Sequence, residues 1–162
     1  MAIFVKYDGI TGQVNDSEHK GWMRVHELAW EAGREITSNT STRGDRESSN
    51  ARIGDLVMTR LMDKATPKIF LEACCGKGKD VEIHLTKSGK GSGAEIYMAY
   101  VLKNCLISHY AMSCTPKHKN RPTERITISF TELEVKYTPY DDEGMAQGPL
   151  VVGFDTKTNM RA

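Results

Sequence analysis

The amino-acid sequence predicts a mainly β domain with one short α-helix, whose strands close into a barrel or a sandwich. Three observations support this fold class. Several segments alternate apolar and polar residues with the period of a strand, and one segment carries the start and stop signals of a helix. The length of 162 residues suits one domain, and no repeat or linker divides the chain. We therefore expect a single domain over residues 1–162.

The first two strands are predicted near the N-terminus. Residues 2–7, "AIFVKY", are rich in strand-forming residues and are followed by the turn residues Asp8 and Gly9. Residues 21–33, "GWMRVHELAWEAG", place apolar and polar side chains on both parities. That mixture fits one long strand better than an amphipathic helix.

A long polar connection precedes the third strand. Residues 37–52 contain one apolar residue, Ala51, and a polar connection of this length inside a compact domain is often functional or mobile. The alternation returns over residues 53–62. One predicted face carries Leu56, Met58 and Met62, and the other carries Val57, Thr59 and Leu61.

The single helix is predicted in the stretch "DKATPKIFLEACCGKG". Thr66 suits the cap of a helix, Pro67 suits the first helical position, and Gly76 suits the end. The adjacent Cys74 and Cys75 fall in the last turn. We expect one of these two thiols to face the core and the other to flank it.

The second half of the chain is again predicted to be β-rich. Strands are expected over residues 80–87, 94–112, 123–137 and 149–155. The first two are joined by "SGKGSG", which suits a hairpin turn. In the third, the parity of the apolar residues switches between Phe130 and Leu133. Such a switch requires a β-bulge or a change of partner sheet.

Composition and termini argue against several classes of protein. The 22 basic and 21 acidic residues give a formal net charge of +1, which argues against a dedicated nucleic-acid binder. The N-terminus lacks the apolar core of a signal peptide, and no apolar run approaches the roughly 18 residues of a membrane span. We expect a chain made in the cytoplasm that binds no nucleic acid and inserts into no membrane.

Four thiol and imidazole side chains could in principle bind zinc, namely Cys105, His109, Cys114 and His118. Cys105 and His109 are expected to share a strand face, but along a strand roughly 13 Å separates them. The spacing matches no compact zinc motif, and cysteine is a common small core residue. We therefore expect no metal site.

No motif of catalysis or cofactor binding stands out. The stretches "CCGKGKD" and "SGKGSG" lack the strand-to-helix context of a phosphate-binding loop. The chain has no nucleophile elbow and no HExxH motif. We expect no catalytic residue, no cofactor and no enzymatic activity.

The stretch "LVMTRLMDKATPKIFLEACCGKG" resembles the haemolysin-coregulated protein (Hcp) family, which forms the tube of bacterial type VI secretion systems. In that family, Asp-Lys-Ser/Ala-Ser/Thr-Pro precedes a short helix, and residues 63–67 match this element. The resemblance extends to residues 22–30, to "ERITISFTELEVKY" and to "VGFDTKTN". It therefore covers essentially the whole chain.

This resemblance implies a small β-barrel of two sheets with the helix at its side as a packing and assembly element. It implies hexameric rings that stack into an inner tube, which is propelled from the cell and can hold small effectors in its lumen. The implied partners are further copies of the chain and the sheath, spike and baseplate proteins of the system. Assembly in the bacterial cytoplasm would be followed by secretion without a cleaved signal peptide.

In the Hcp family an extended loop reaches toward the next ring, and residues 37–52 correspond to it. This loop carries charges of both signs, and we predict that four of them mediate ring stacking: Arg43, Asp45, Arg46 and Glu47.

Two functions of other classes remain open. The chain could be a monomeric β-barrel binding module whose basic loop, Thr115–Pro122, grips an acidic ligand. It could instead be a small metalloprotein that uses the Cys/His set. The oligomeric state distinguishes the tube protein from the binding module, and metal content tests the third function.

Overall fold

The computed structural model describes residues 1–37, 47–89, 93–117 and 119–162. Within these ranges the chain forms one helix, α1 (Thr66–Cys75), and a series of strands. The strands are β1 (Ala2–Tyr7), β2 (Met23–Val25), β3 (Glu27–Ala29), β4 (Ala32–Gly33), β5 (Ile36–Thr37), β6 (Glu47–Ser48), β7 (Arg52–Ile53), β8 (Leu56–Leu61), β9 (Lys79–Ser88), β10 (Ala94–Ser113), β11 (Thr123–Ser129), β12 (Glu132–Tyr137), β13 (Leu150–Asp155) and β14 (Met160–Arg161).

Two antiparallel sheets share the 20-residue strand β10. The first sheet has the order β2-β1-β9-β10-β12-β13-β14, and the second has the order β10-β11-β8-β3. The N-terminal part of β10 pairs with β9 and β12, while its C-terminal part, from Leu106 onward, pairs with β11. The predicted hairpin between β9 and β10 is confirmed by their pairing.

The two sheets also meet at His26, on the side of the barrel away from β10. β2 pairs with β1 in the first sheet, and β3, which begins one residue after His26, pairs with β8 in the second. The chain therefore passes from one sheet to the other at this corner, and the sheets close into a small barrel. The prediction of one long strand over residues 21–33 was wrong, because the strand breaks at the corner and changes its inward face there.

A second change of sheet explains the parity switch in the late β segment. β11 pairs with β10 and β8, whereas β12 pairs with β10 and β13. Phe130 and Thr131 form the short connection between them. The sequence had allowed a bulge or a change of partner sheet, and the structure has the change of sheet.

The inward faces of both sheets form one apolar core, to which β1, β2, β8, β9, β10, β11, β12 and α1 contribute. The predicted faces of β8 are confirmed, since Leu56 and Met58 are buried and their neighbours are not. In β9, Val81 and Ile83 are buried as predicted, but Thr86 takes the place of Leu85 at the next buried position. The register shift in the partner strand β10, between Ile96 and Met98, accompanies this change of phase.

Helix α1 packs against β10 and buries Ile69. Gly76 ends the helix as predicted, but the N-cap is Ala65, one residue before the predicted Thr66. Both Cys74 and Cys75 are exposed, so the expectation that one of them faces the core was wrong. The core-facing side of the helix runs through Ile69 and Ala73, which leaves the two cysteines outside it.

Candidate functional site

A buried polar cluster fixes the start of the helix. Arg60 occupies the third inward position of β8 and forms an ion pair with Glu124, its neighbour on β11. A second ion pair joins Arg60 Nη2 to Asp63 Oδ2 at 2.6 Å. The side chains of Arg60 and Glu124 are 1% and 0% exposed. Because both charges are removed from water, each depends on the other for compensation.

The segment before the helix is hydrogen-bonded into this cluster. Asp63 Oδ1 accepts a hydrogen bond from the Ala65 amide at 2.8 Å, and Thr66 Oγ1 accepts one from the Asp63 amide at 3.2 Å. The Thr66 hydroxyl lies 3.3 Å from Glu124 Oε1, and the Tyr110 hydroxyl donates to Glu124 Oε2 at 2.7 Å. Burial and the nearby carboxylate raise the pKa of Tyr110. The helix is therefore tied to both β8 and β11.

The fixed helix and the C-terminal part of β10 together present apolar side chains, which we call the helix patch: Phe70 and Leu71 on α1, and Tyr110 and Met112 on β10. Phe70 and Leu71 are 56% and 57% exposed on α1, and Met112 is 54% exposed on β10. The rings of Phe70 and Tyr110 lie edge to face, with centroids 6.3 Å apart. Large apolar side chains that group at a surface in this way are typical of association sites.

A second group of exposed apolar side chains lies on β13 and β14, and we call it the edge patch: Leu150, Val151, Val152 and Met160. By strand alternation and register, Leu150 and Val152 lie on one face of this edge, and Val151 and Met160 lie on the other. These side chains are 66%, 46%, 54% and 65% exposed. One edge of β13 pairs with β12, but β14 covers the other edge only at Phe154 and Asp155. Over Leu150–Val152 this outer edge has no strand partner within the described residues. Open strand edges readily pair with another chain.

Residues 31–37 and 47–53, which we call the arm, form two short ladders, β4 with β7 and β5 with β6. The Glu35 amide donates to Ser49 Oγ at 2.8 Å, and the Ala51 amide donates to Asn159 Oδ1 at 3.1 Å. The second bond ties the base of the arm to the turn between β13 and β14.

Three of the four predicted stacking residues, Arg43, Asp45 and Arg46, lie outside the described residues. Glu47 begins β6, where it pairs with Thr37. The described ladders lead up to the predicted loop on both sides, and its role in stacking stays a prediction.

The Cys/His set does not come together as the strand pattern suggested. Cys105 is buried in the core, whereas His109 is exposed, because the register of β10 shifts between Ile107 and His109. The two side chains therefore do not share a face. Cys114 is exposed, and His118 lies outside the described residues. Over the described ranges, no group of three or more potential ligands is arranged to hold a metal ion.

Lys117, Lys119 and Arg121, in the loop between β10 and β11, are exposed. Arg121 Nη1 lies 3.4 Å from Gln13 Oε1.

In the part of the chain that the structure describes, no helix is long and apolar enough to span a membrane.

Sequence reasoning missed the buried cluster, although one signal was present. Arg60 and Glu124 each fall in phase with buried apolar residues of their own strand, Met58 and Ile126. A charge at an inward position must be paired or it destabilises the fold. The two opposite charges could have been matched on that ground.

Comparison with known proteins gives a consistent result. A family model described as "Type VI secretion system effector, Hcp" matches residues 4–137. Protein hcp1 of Pseudomonas aeruginosa is 26% identical to this chain over 164 aligned residues, which cover 99% of this chain and 98% of that protein.

Solved structures agree with the sequence comparison. A structure described as that of a type six secretion system protein superposes with a TM-score of 0.91 at 28% identity, covering 99% of both chains. Hcp1 from Salmonella typhimurium superposes with a TM-score of 0.79 at 22% identity, covering 99% of this chain and 98% of that one. The second similarity shows a shared fold.

Proposed function

Because the chain belongs to the Hcp family of type VI secretion proteins, we propose that six copies of it close into a ring and that such rings stack into the secretion tube. Hcp proteins are secreted structural components of this system. Residues 1–162 act as a single tube-protein domain without catalytic activity of their own. The number six comes from the family resemblance, and the surfaces described above support self-association.

The observation that carries the proposal is the presence of two different apolar surfaces. The edge patch lies on β13 and β14, and the helix patch lies on α1 and the C-terminal part of β10. A surface that meets its own copy gives a twofold dimer, whereas two different surfaces that meet head to tail give a ring when the rotation closes. The open edge of β13 adds unpaired backbone groups to the apolar contact.

Stacking is assigned to the arm. We infer that the loop carrying Arg43, Asp45, Arg46 and Glu47 contacts the neighbouring ring. Each exposed charge pair contributes roughly 0–1 kcal/mol, but a ring repeats the contact around its axis, so small terms add.

The remaining partners follow from the family. The sheath, spike and baseplate proteins of the system are its further partners, and the lumen of the tube can hold small effectors. Assembly takes place in the bacterial cytoplasm, and the protein then leaves the cell without a cleaved signal peptide.

Native mass spectrometry of the purified protein tests ring formation. We expect a dominant species with six times the mass of the 18.1 kDa chain. Electron microscopy of the same sample at low salt then reports whether rings stack. A chain that stays monomeric at high micromolar concentration would contradict the ring and would favour the monomeric binding module.

A further inference from the structure

Two histidines 65 positions apart in sequence form a direct contact on the outside of the barrel. His19 belongs to the loop over residues 11–22, and His84 lies on β9. His19 Nε2 and His84 Nδ1 are 2.9 Å apart. The side chain of His19 is 0% exposed and that of His84 is 14% exposed.

A carboxylate faces the outer nitrogen of each imidazole. His19 Nδ1 lies 2.9 Å from Asp16 Oδ1, and His84 Nε2 lies 2.8 Å from Glu82 Oε1. The four groups therefore form a line in the order Asp16, His19, His84 and Glu82. Its three contacts all have the length of hydrogen bonds.

Counting protons along this line gives a definite result. Each of the three contacts needs one hydrogen, but two neutral imidazoles carry two hydrogens between them. The third must come from an extra proton. Imidazoles bind protons more strongly than carboxylates do, by about two pKa units in model compounds. The hydrogen bond from His19 also lowers the pKa of Asp16, which keeps that carboxylate ionised.

Aromatic rings enclose the pair. Phe4 stacks on the His19 ring at 4.3 Å, and the Trp22 ring lies 4.9 Å from His19 and 4.6 Å from His84. A second proton would place two cations in contact and leave both facing nitrogens as donors, so the central hydrogen bond would be lost. Because His19 is fully buried, its cation can reach water only if its loop leaves the sheet.

We propose that His19 and His84 form a proton-sharing latch on the loop over residues 11–22. The latch holds the loop on the barrel while the histidine pair carries no extra proton or one extra proton. It releases the loop when a second extra proton binds. When both imidazoles are neutral, their two hydrogens can form only two of the three hydrogen bonds. The contact to Glu82 is then lost, because that side chain is 43% exposed and can bind water instead. The loop is otherwise held in shape by its own backbone bonds, such as those from Gly12 to Gly21 and from Val14 to Trp22.

The charged groups around the latch are of both signs. The titratable and charged neighbours are Asp16, Glu18 and Lys20 on the loop, Glu82 on β9, Lys6 on β1, Arg24 on β2, and Glu134 and Lys136 on β12. Burial lowers the pKa of His84 below its ordinary value of 6.5, Glu82 opposes this effect, and Lys136 adds to it. Protonation of the His84 ring therefore requires a more acidic solution than protonation of an exposed histidine does.

Solid-state NMR of sedimented protein labelled with 15N-histidine measures the proton count directly. Spectra are recorded from pH about 8 to about 4.5, and signals are assigned with His19→Gln and His84→Gln, with the exposed His109→Gln as the matched control. We expect the pair to take up its two protons in two separate steps, with three protonated ring nitrogens between them. Simultaneous uptake of both protons, or a pair that stays neutral throughout, would overturn the proposal.

Hydrogen exchange tests the release of the loop on the same samples. After correction for intrinsic exchange, protection of residues 12–22 should fall at least about tenfold at the second protonation, while β11 stays protected. His84→Gln should remove this pH step, and His109→Gln should leave it in place. A loop whose protection does not change when the second proton binds would contradict the latch.

Discussion

Arg60 and Glu124 face each other on adjacent strands and form an ion pair from which water is almost wholly excluded. Their pairing is also the anchor of the helix, because Asp63, Thr66 and Tyr110 bond to one or the other. The short motif before the helix, which carried the family resemblance, thus has a physical role in the barrel.

Replacing Glu124 with Gln leaves Arg60 with Asp63 as its one remaining carboxylate. Removing one partner of a buried ion pair typically costs about 3–5 kcal/mol, and we expect the lower end of that range because Asp63 stays. Urea denaturation at a fixed protein concentration measures the loss of unfolding free energy. Glu143→Gln, at an exposed turn, is the control and should change stability by less than about 0.5 kcal/mol. Equal stability of the two variants would contradict the role of the cluster.

Three of the four cysteines should react with a thiol reagent in the folded protein, and the fourth should not. Burial raises the pKa of the Cys105 thiol to about 12, and reaction requires the thiolate. Cys74, Cys75 and Cys114 are exposed and should react with a thiol reagent in the dissociated subunit, whereas Cys105 should react only on unfolding. Cys105→Ala should leave the native thiol count unchanged. A lower native count in that variant would show that Cys105 is accessible.

The edge patch should be required for the ring. In Val152→Asp a carboxylate replaces a side chain that is 54% exposed, so the subunit should fold normally. Burying that unpaired charge in an apolar contact costs several kcal/mol, and the ring should dissociate at concentrations where the parent chain is assembled. Native mass spectrometry gives the subunit count, and circular dichroism checks the fold. Met145→Asp, at an apolar side chain 63% exposed in a different segment, is the control and should form rings.

The stacking loop makes a separate prediction. Changing Arg43, Asp45, Arg46 and Glu47 to Ser should leave rings intact and abolish tubes and secretion. In the parent chain stacking should weaken as salt rises, because exposed charges are screened within about 8–10 Å at physiological ionic strength. Electron microscopy and a secretion assay give the two readouts. Unchanged tubes and secretion would leave the loop as a passive connection.

Much of the fold could be predicted because its strands obey local rules. β1, β8 and β10 were located from their composition and alternation, and the end of α1 from Gly76. Periodicity identifies these elements because each keeps one face on the core over most of its length.

The corner at His26 could not be predicted in this way. There a one-residue bend carries the chain from one sheet to the other, so the inward parity shifts between β2 and β3 although both are strands. The exposure of Cys74 and Cys75 was missed for a related reason, since helix α1 touches the core along a narrow line through Ile69 and Ala73.

The polar sites depend on residues that are distant in sequence. Arg60 and Glu124 are 64 positions apart, and His19 and His84 are 65 apart. Arg60 and Glu124 are marked in the sequence only by their inward phase, and His19 and His84 by nothing, so the actual pairing depends on strand register and loop placement, which one sequence does not specify. The proposed ring and tube rest on the family resemblance, because local sequence patterns do not indicate an assembly.

Strand β10 also determines when the chain can fold during synthesis. β1 leaves the ribosome first and β2 soon after it, but the second neighbour of β1, β9, is made after residue 78, and β9 in turn lies beside β10. At about 5–20 residues per second, β1 waits roughly 4–15 s for that partner. β8 likewise waits for β11, which follows β10. β1 and β8 can pair early with β2 and β3, but each keeps one open edge until β9 or β11 has been made. During this interval the open strand edges expose the nascent chain to aggregation.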